Sequence, residues 1–419
     1  MTSKDPTKKK VTNLPTRLNI QLELALDVVE LFDGARLTQA RQLAALTKSA
    51  LADKIDVSAA AVGQYEAGTI RPRPELVLRL AEVLGVPVRF FAFSAGRPKA
   101  SLDVSMAHFS SLRSTRAYER ERGVAYAAQV WELSHALGER VRLPSIDLPG
   151  WVAGEVVPSV PGEPAAAARE LRRRWGLGEA AIPHMVRLLE SKGIIVTLLP
   201  FSEAARVKAF STARLPRPVV VLTTDRDDVY HLRFAAAHEL GHLVMHGEAQ
   251  PGDIEHEREA DAFAAEFLMP SASIMPSLPG RVDFNVYARL QTAWGVSIRA
   301  LIYRSRELGL LGDMPYRRAW QRLHELQESL VVQPEPIDAY PGEQPVLLKR
   351  ALEISTKSGV GIEALADRLH FSTEMINFYL GEEVNKLPEV DVSDFLEPGG
   401  SPARMGEVRM FSRAPRRRS

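Results

Sequence analysis

Cysteine is absent from all 419 residues, which excludes disulfides and thiolate metal ligands and makes a reducing cytoplasm the expected compartment. No stretch approaches the roughly 18 consecutive apolar residues of a membrane-spanning helix, so no membrane partner is expected. The start carries Lys4, Lys8, Lys9 and Lys10 without the apolar run of a secretory signal. Charge of one sign is also lacking: a formal net charge of +1 leaves no global field to select a partner. Local imbalance remains in the basic arm and in the tail, where Arg404, Arg409, Arg413, Arg416, Arg417 and Arg418 face only Glu407. Both ends can be disordered, solubilising tails or make nonspecific phosphate contact, and the first is favoured for the tail. What is present, 45% hydrophobic and 25% charged residues, is ordinary globular material. The length suffices for about two to four domains.

The most informative run is Ala236-Ala237-His238-Glu239-Leu240-Gly241-His242-Leu243-Val244, followed fifteen residues after His242 by Glu257 and then by Asp261. In a helix, His238 and His242 leave the same face one turn apart and can meet one Zn2+ at about 2.0–2.1 Å. Glu239 lies beside such an ion and suits a general base acting on the water that attacks a carbonyl. Two imidazoles underfill a tetrahedral ion, so a third ligand is required. Residues 254–268 predict a second helix, with Ala260, Phe263, Ala264, Phe267 and Leu268 as its packed stripe and Met269-Pro270 as its end. On it, Glu257 can ligate while Asp261 accepts a hydrogen bond from a ligating imidazole. Glu255, His256 and Glu259 compete for the third place, and His246, one turn further along the first helix, can also approach. An accidental motif on a charged surface helix would have polar neighbours. Here Phe234, Ala235, Leu240, Leu243 and Val244 surround the ionisable groups, where unpartnered charge is costly.

Residues 37–91 read as short helices with tight breaks. Thr38 is expected to cap a helix through Leu46; Lys48 to Ile55, Ser58 to Tyr65 and Arg73 to Leu84 follow, the last ending at Gly85. Leu43, Leu51, Ile55, Val62, Leu76, Leu80, Leu84 and Val86 supply one small core. The run from Leu37 to Ala44, and that from Ser49 through Val-Ser-Ala-Ala-Ala-Val-Gly-Gln-Tyr-Glu to Gly68, resemble the repressor-like (XRE) helix-turn-helix family. The resemblance implies a recognition helix from Ser58 to Tyr65 in the major groove of double-stranded DNA, with Lys48, Arg71 and Arg73 on phosphates. Ala59 and Ala60 stand where such repressors often carry base-reading polar side chains and offer only a thymine-methyl contact; Ser58 and Gln64 are the remaining readers. Modest or dimer-dependent specificity is therefore expected, with a homodimer among the expected partners. A protein-docking role is the alternative for the same fold.

Residues 111–137 suggest a helix packed on the central unit, and Leu148 to Pro164 an irregular crossing. Glu163 to Trp175 is expected to be helical, with Arg169 and Arg172 to Arg174 on solvent faces, and Pro183 to Lys192 to be another helix. Ile194 to Leu199, Val207 to Phe210 and Val219 to Leu222 have strand length. Their sheet is expected to lie across the His238 helix, with an edge able to align an extended peptide. Three helices, Val346 to Lys357, Ile362 to Leu369 and Thr373 to Leu380, close the sequence pattern. The last two have helix-turn-helix spacing but no basic recognition face, so they read as a packing or protein-binding module.

Taken in order, Ala209-Phe210-Ser211, Arg217 to Leu222, Arg233 to His246, Glu257 to Pro270, Trp294-Gly295-Val296-Ser297 and the run around Tyr303-Arg304 resemble the ImmA/IrrE family of zinc metallopeptidases over roughly residues 105–325. The resemblance implies a compact thermolysin-type zincin fold, Glu257 as third ligand, and intracellular cleavage of a repressor-like protein during derepression of a mobile element or stress regulon. Another DNA-bound regulator is then the expected substrate, ahead of self-cleavage. The expected fold is mainly α and multidomain. It comprises a basic arm and leading helix (1–32), an all-α helix-turn-helix domain (33–95), a linker (96–104), a central α+β zincin-like domain with a small sheet (105–325), a C-terminal helical module (326–398) and a basic disordered tail (399–419). The alternative is a non-proteolytic regulator whose metal domain senses or scaffolds. It is kept open because no oxyanion donor is evident: Tyr230, His231, His246, Tyr287 and Arg281 have suitable chemistry, and none is placed by spacing.

Overall fold

The computed structural model describes residues 16–94, 107–109, 116–152, 155–156, 159–199, 209–224, 227–246, 253–328 and 334–382. The basic arm, the linker after Gly96, residues 111–115, Val207, Lys208 and the arginine-rich tail lie outside them. Among the described residues no helix is long and apolar enough to cross a membrane. The architecture is mainly α, in several units around one small sheet.

The amino-terminal unit contains α1 (Thr16–Glu30), α2 (Gly34–Leu43), α3 (Lys48–Ile55), α4 (Ala59–Glu66) and α5 (Pro74–Leu84). Asp33, not Thr38, caps α2: its carboxylate accepts from the Ala35 N–H at 3.0 Å, while the Thr38 hydroxyl bonds back to the Gly34 carbonyl inside the helix. The first helical residue is a glycine that passes close to α4, where a Cβ would stand 2.4 Å from the carbonyl oxygens of Tyr65 and Glu66. Thr47 and Ser58 cap α3 and α4, and Gly85 ends α5 in the left-handed conformation.

The central unit opens with β1 (His108–Phe109) and α6 (Ala117–Gly138), then the short pair β2 (Trp151–Val152) and β3 (Glu155–Val156), α7 (Pro164–Arg174), α8 (Met185–Ser191), β4 (Ile195–Leu199), β5 (Ala209–Thr212) and β6 (Val219–Thr223). Next come α9 (Val229–Met245), α10 (Ile254–Leu268), α11 (Ser271–Ile274), α12 (Phe284–Trp294), α13 (Ile298–Glu307) and α14 (Asp313–Glu328). The last helices are α15 (Leu347–Lys357), α16 (Ile362–Leu369) and α17 (Thr373–Tyr379).

The main sheet has the order β1-β5-β6-β4, with β4 parallel to β6 and β5 antiparallel to both β6 and β1. Side chains alternate between its faces, and each face has its own core. Ile195, Leu199, Phe210, Val219 and Val221 join the core that holds α6, the amino-terminal unit and α15 to α17. Val196, Ala209, Val220 and Leu222 join the core built on α9 and α10. Burial on both faces explains why the strands read as continuous apolar runs.

Arg172 departs from its expected solvent position. It is buried and donates to the carbonyls of Gly178, Ala180 and Phe267, stitching α7 to the following loop and to the end of α10. The segment before α15 is likewise woven into the central unit: the Glu343 carboxylate accepts from the Met185 and Val186 N–H groups, capping α8, and pairs with Arg233 of α9.

Candidate functional site

Helix α9 starts where Asp228 accepts from the N–H groups of Tyr230 and His231, and α10 where Asp253 accepts from that of Glu255. The two helices pack closely because Gly241 faces α10. A Cβ there would meet Phe263 at 3.1 Å and the Ala260 Cα at 3.3 Å. This close approach carries Glu257 to the two imidazoles of α9.

His238 Nε2 and His242 Nε2 stand 3.1 Å apart; Glu257 Oε1 lies 3.3 Å from His242 Nε2, and Oε2 lies 3.6 Å from His238 Nε2. Ligands about 2.0–2.2 Å from a tetrahedral zinc ion stand about 3.3–3.5 Å from one another. The three donors therefore fit the face of such a coordination shell. His238 Nδ1 meets Asp261 Oδ1 at 2.8 Å, so Asp261 directs the other ring nitrogen toward the triangle. Glu239 is fully buried; its Oε2 accepts from the Ser211 hydroxyl at 2.7 Å, while Oε1 has no hydrogen-bond partner among the described residues. A buried carboxylate oxygen without a protein partner beside three converging donors fits a site that also takes an ion and a water.

The electrostatics follow from burial and the pairing pattern. Desolvation works against charge on His238, but its hydrogen bonds to Asp261 and Glu257 raise it to about 10. Desolvation dominates at His242, pushed down to about 3, and at Glu239, pushed up to about 8 despite the opposing effects of His238 and Ser211. Burial would raise Glu257, yet the two imidazoles hold it at about 2.

The structure brings together His238, Glu239, His242, Glu257 and Asp261. Glu255 is exposed at the start of α10, whereas His246, His256 and Glu259 gather into a separate group. The oxyanion candidates do not converge. The Tyr287 hydroxyl is buried against Ser305 and that of Tyr230 meets Tyr340, each at 3.1 Å. His231 sits about 10 Å back along α9 from His238, at a rise of about 1.5 Å per residue, and Arg281 is exposed in the bend before α12. Ser211 was not singled out by sequence. Its role depends on the β5 register, although the motif Ala209-Phe210-Ser211 marks the strand.

In the amino-terminal unit Val62 is buried while Ala59, Ala60 and Gln64 are exposed on α4. Ser58 Oγ accepts from the Ala61 N–H at 3.1 Å, so the residue caps the helix. Arg71 and Arg73 are exposed after it, and Lys48 pairs with Glu66 at 3.2 Å.

Residues 189–306 match the model of the IrrE N-terminal-like domain, a peptidase family, and residues 37–91 match that of a helix-turn-helix domain. No curated protein matches the chain. The chain thus joins a helix-turn-helix domain, which suggests a DNA-binding regulator, to an IrrE N-terminal-like domain, which suggests a metallopeptidase of the ImmA/IrrE type.

Proposed function

We propose that this protein is a cytoplasmic, DNA-binding regulator with zinc-dependent endopeptidase activity, cleaving a helix-turn-helix repressor during derepression of a mobile element or stress regulon. The observation that carries the reading is the triangle of His238, His242 and Glu257 beside the buried carboxylate of Glu239. These three residues would hold Zn2+, which when bound supplies Lewis acidity, lowering the pKa of water toward about 7 and polarising a carbonyl. Glu239 Oε1 accepts the proton of the attacking water and returns it to the leaving amine, while Ser211 fixes Oε2. Asp261 keeps the His238 ring in register.

The proposed DNA face is Ser58, Ala59, Ala60 and Gln64 on the recognition helix with Lys48, Arg71 and Arg73 on phosphates, presented twice by a homodimer. The same domain supports the substrate class, because it brings the peptidase to DNA where other DNA-bound regulators are concentrated. The test is Glu239→Gln compared with wild type, each co-produced with neighbouring helix-turn-helix regulators and followed by mass spectrometry. The variant should keep one zinc per chain and lose about 10²–10⁴-fold in cleavage rate. Persistent cleavage by the zinc-loaded variant would remove Glu239 as the base.

One observation favours a second reading, a non-proteolytic regulator whose metal domain senses or scaffolds. β5, the strand beside Glu239, already pairs with β1 at His108 and Phe109, so part of the edge expected to align a peptide is taken. Zinc-dependent operator protection in footprinting, with every neighbouring regulator left intact, would select it.

A further inference from the structure

His246 lies one turn beyond His242 and is buried, and the metal triangle leaves it without a role. Its Nδ1 stands 2.9 Å from His242 Nδ1, and its Nε2 stands 2.9 Å from Glu259 Oε2. We propose that His246 and Glu259 form a positioning relay that holds His242 as a metal ligand, the counterpart on the second imidazole of Asp261 on the first. This rests on the metal reading given above.

The proton positions follow from the geometry alone. A neutral His242 that offers the Nε2 lone pair to an ion must carry its proton on Nδ1, and that proton points at His246 Nδ1. His246 Nδ1 must then accept, which puts the His246 proton on Nε2, where Glu259 accepts it. Every donor in the chain meets an acceptor, and the carboxylate ends it. Outer partners of this kind fix tautomer and ring plane and raise ligand basicity.

His246, His256 and Glu259 also stand close enough for a second ion to be considered. The rings argue against it: His246 and His256 are stacked, with centroids 4.1 Å apart and planes only 19° apart. In-plane lone pairs of near-parallel rings run side by side and do not converge. The stack instead limits rotation of His246 about the axis on which the relay depends.

The test measures zinc content and affinity by chelator competition on the full chain, with imidazole ¹⁵N spectra of the zinc-loaded wild type. His246→Leu and Glu259→Leu should each weaken zinc by about 10–100-fold. The double variant should be little worse than either, because one chain is broken once. Glu259→Gln, which keeps an acceptor oxygen, should stay within about threefold of wild type. The spectra should show His242 protonated on Nδ1 and His246 on Nε2. A His246 protonated on both nitrogens, or unchanged affinity in His246→Leu, overturns the relay while leaving the metal triangle standing. Two zinc ions per chain, one of them lost in His256→Ala, also overturns it. A wild-type chain that takes no zinc overturns the metal reading itself.

Discussion

At the scale of single residues the site is a set of paired polar groups in a place that penalises unpaired ones. Ser211 shows this most simply: its hydroxyl is the donor that keeps the Glu239 carboxylate oriented in a fully buried position. Hydrogen bonds to charged groups contribute about 1.5–3 kcal/mol. Ser211→Ala should therefore lower cleavage by about tenfold or more while leaving zinc affinity within about twofold, a split that steady-state rates and chelator titration read separately. The proton inventory gives a second expectation. With His238 raised to about 10, His242 lowered to about 3 and Glu257 lowered to about 2, His238 is the one ligand whose proton a metal must displace at neutral pH, and Glu239, raised to about 8, carries a second proton that it must lose to act as a base. Ligand deprotonation and metal binding are linked, so apparent zinc affinity should weaken about tenfold for each unit that pH falls from about 10 to about 8, and more steeply below about 8 as Glu239 also takes up a proton. Calorimetry in buffers of different ionisation enthalpy should find between one and two protons released per zinc at pH 7, one from His238 and the remainder from Glu239; a value near zero would contradict the pairing of His238 with Asp261 and Glu257.

At the scale of elements, the site exists because α9 and α10 approach closely. Gly241 is the contact point, where a Cβ would lie 3.1–3.3 Å from Phe263 and Ala260. Alanine is the better helix former by about 0.8–1 kcal/mol, but overpacking a tight interface costs about 1–3 kcal/mol. Gly241→Ala should consequently lower stability or leave it near neutral, and weaken zinc by about tenfold as α10 carries Glu257 outward. A variant more stable than wild type with unchanged zinc affinity would show that the interface has slack. The helix pair was legible because its signals are local. His238 and His242 share a face by spacing, and the stripe from Ala260 to Leu268 marks the packed side of α10. The start of α2 was missed although its Asp33 cap is a local signal; what sequence could not show is the close passage of Gly34 under the carbonyls of α4.

At the scale of the whole molecule, the amino-terminal unit is joined to the rest through buried charge. Arg36 of α2 pairs with Glu132 of α6 through two contacts at 3.0 Å, lies 4.4 Å over the Phe90 ring and 5.5 Å over that of Phe371, and donates to the Leu369 carbonyl at 3.4 Å. Tyr379 of α17 reaches Gln129 on the same central helix. The last three helices thus complete the core shared by α6 and the helix-turn-helix unit. Removing one member of a buried pair strands the other charge, at a cost of about 3–5 kcal/mol. Arg36→Met should lose about that much in denaturant unfolding, and adding Glu132→Leu should restore most of it. If the double variant is as unstable as the single one, packing of the guanidinium against the two phenylalanine rings carries the effect instead.

The sequence alone determined what depends on short-range spacing and residue chemistry: the helix-turn-helix pattern, the apolar strands, the two imidazoles with their neighbouring carboxylate, and the second helix bearing Glu257 and Asp261. Tertiary structure decided what depends on register and docking between distant segments. It set Ser211 against Glu239, buried Arg172, brought Glu259 of α10 to His246, and folded the C-terminal helices onto α6. The physical reason is one of range. Helical periodicity and capping act over a few residues, whereas the partner of a buried polar group is chosen by whichever remote element the packed core brings within hydrogen-bonding distance.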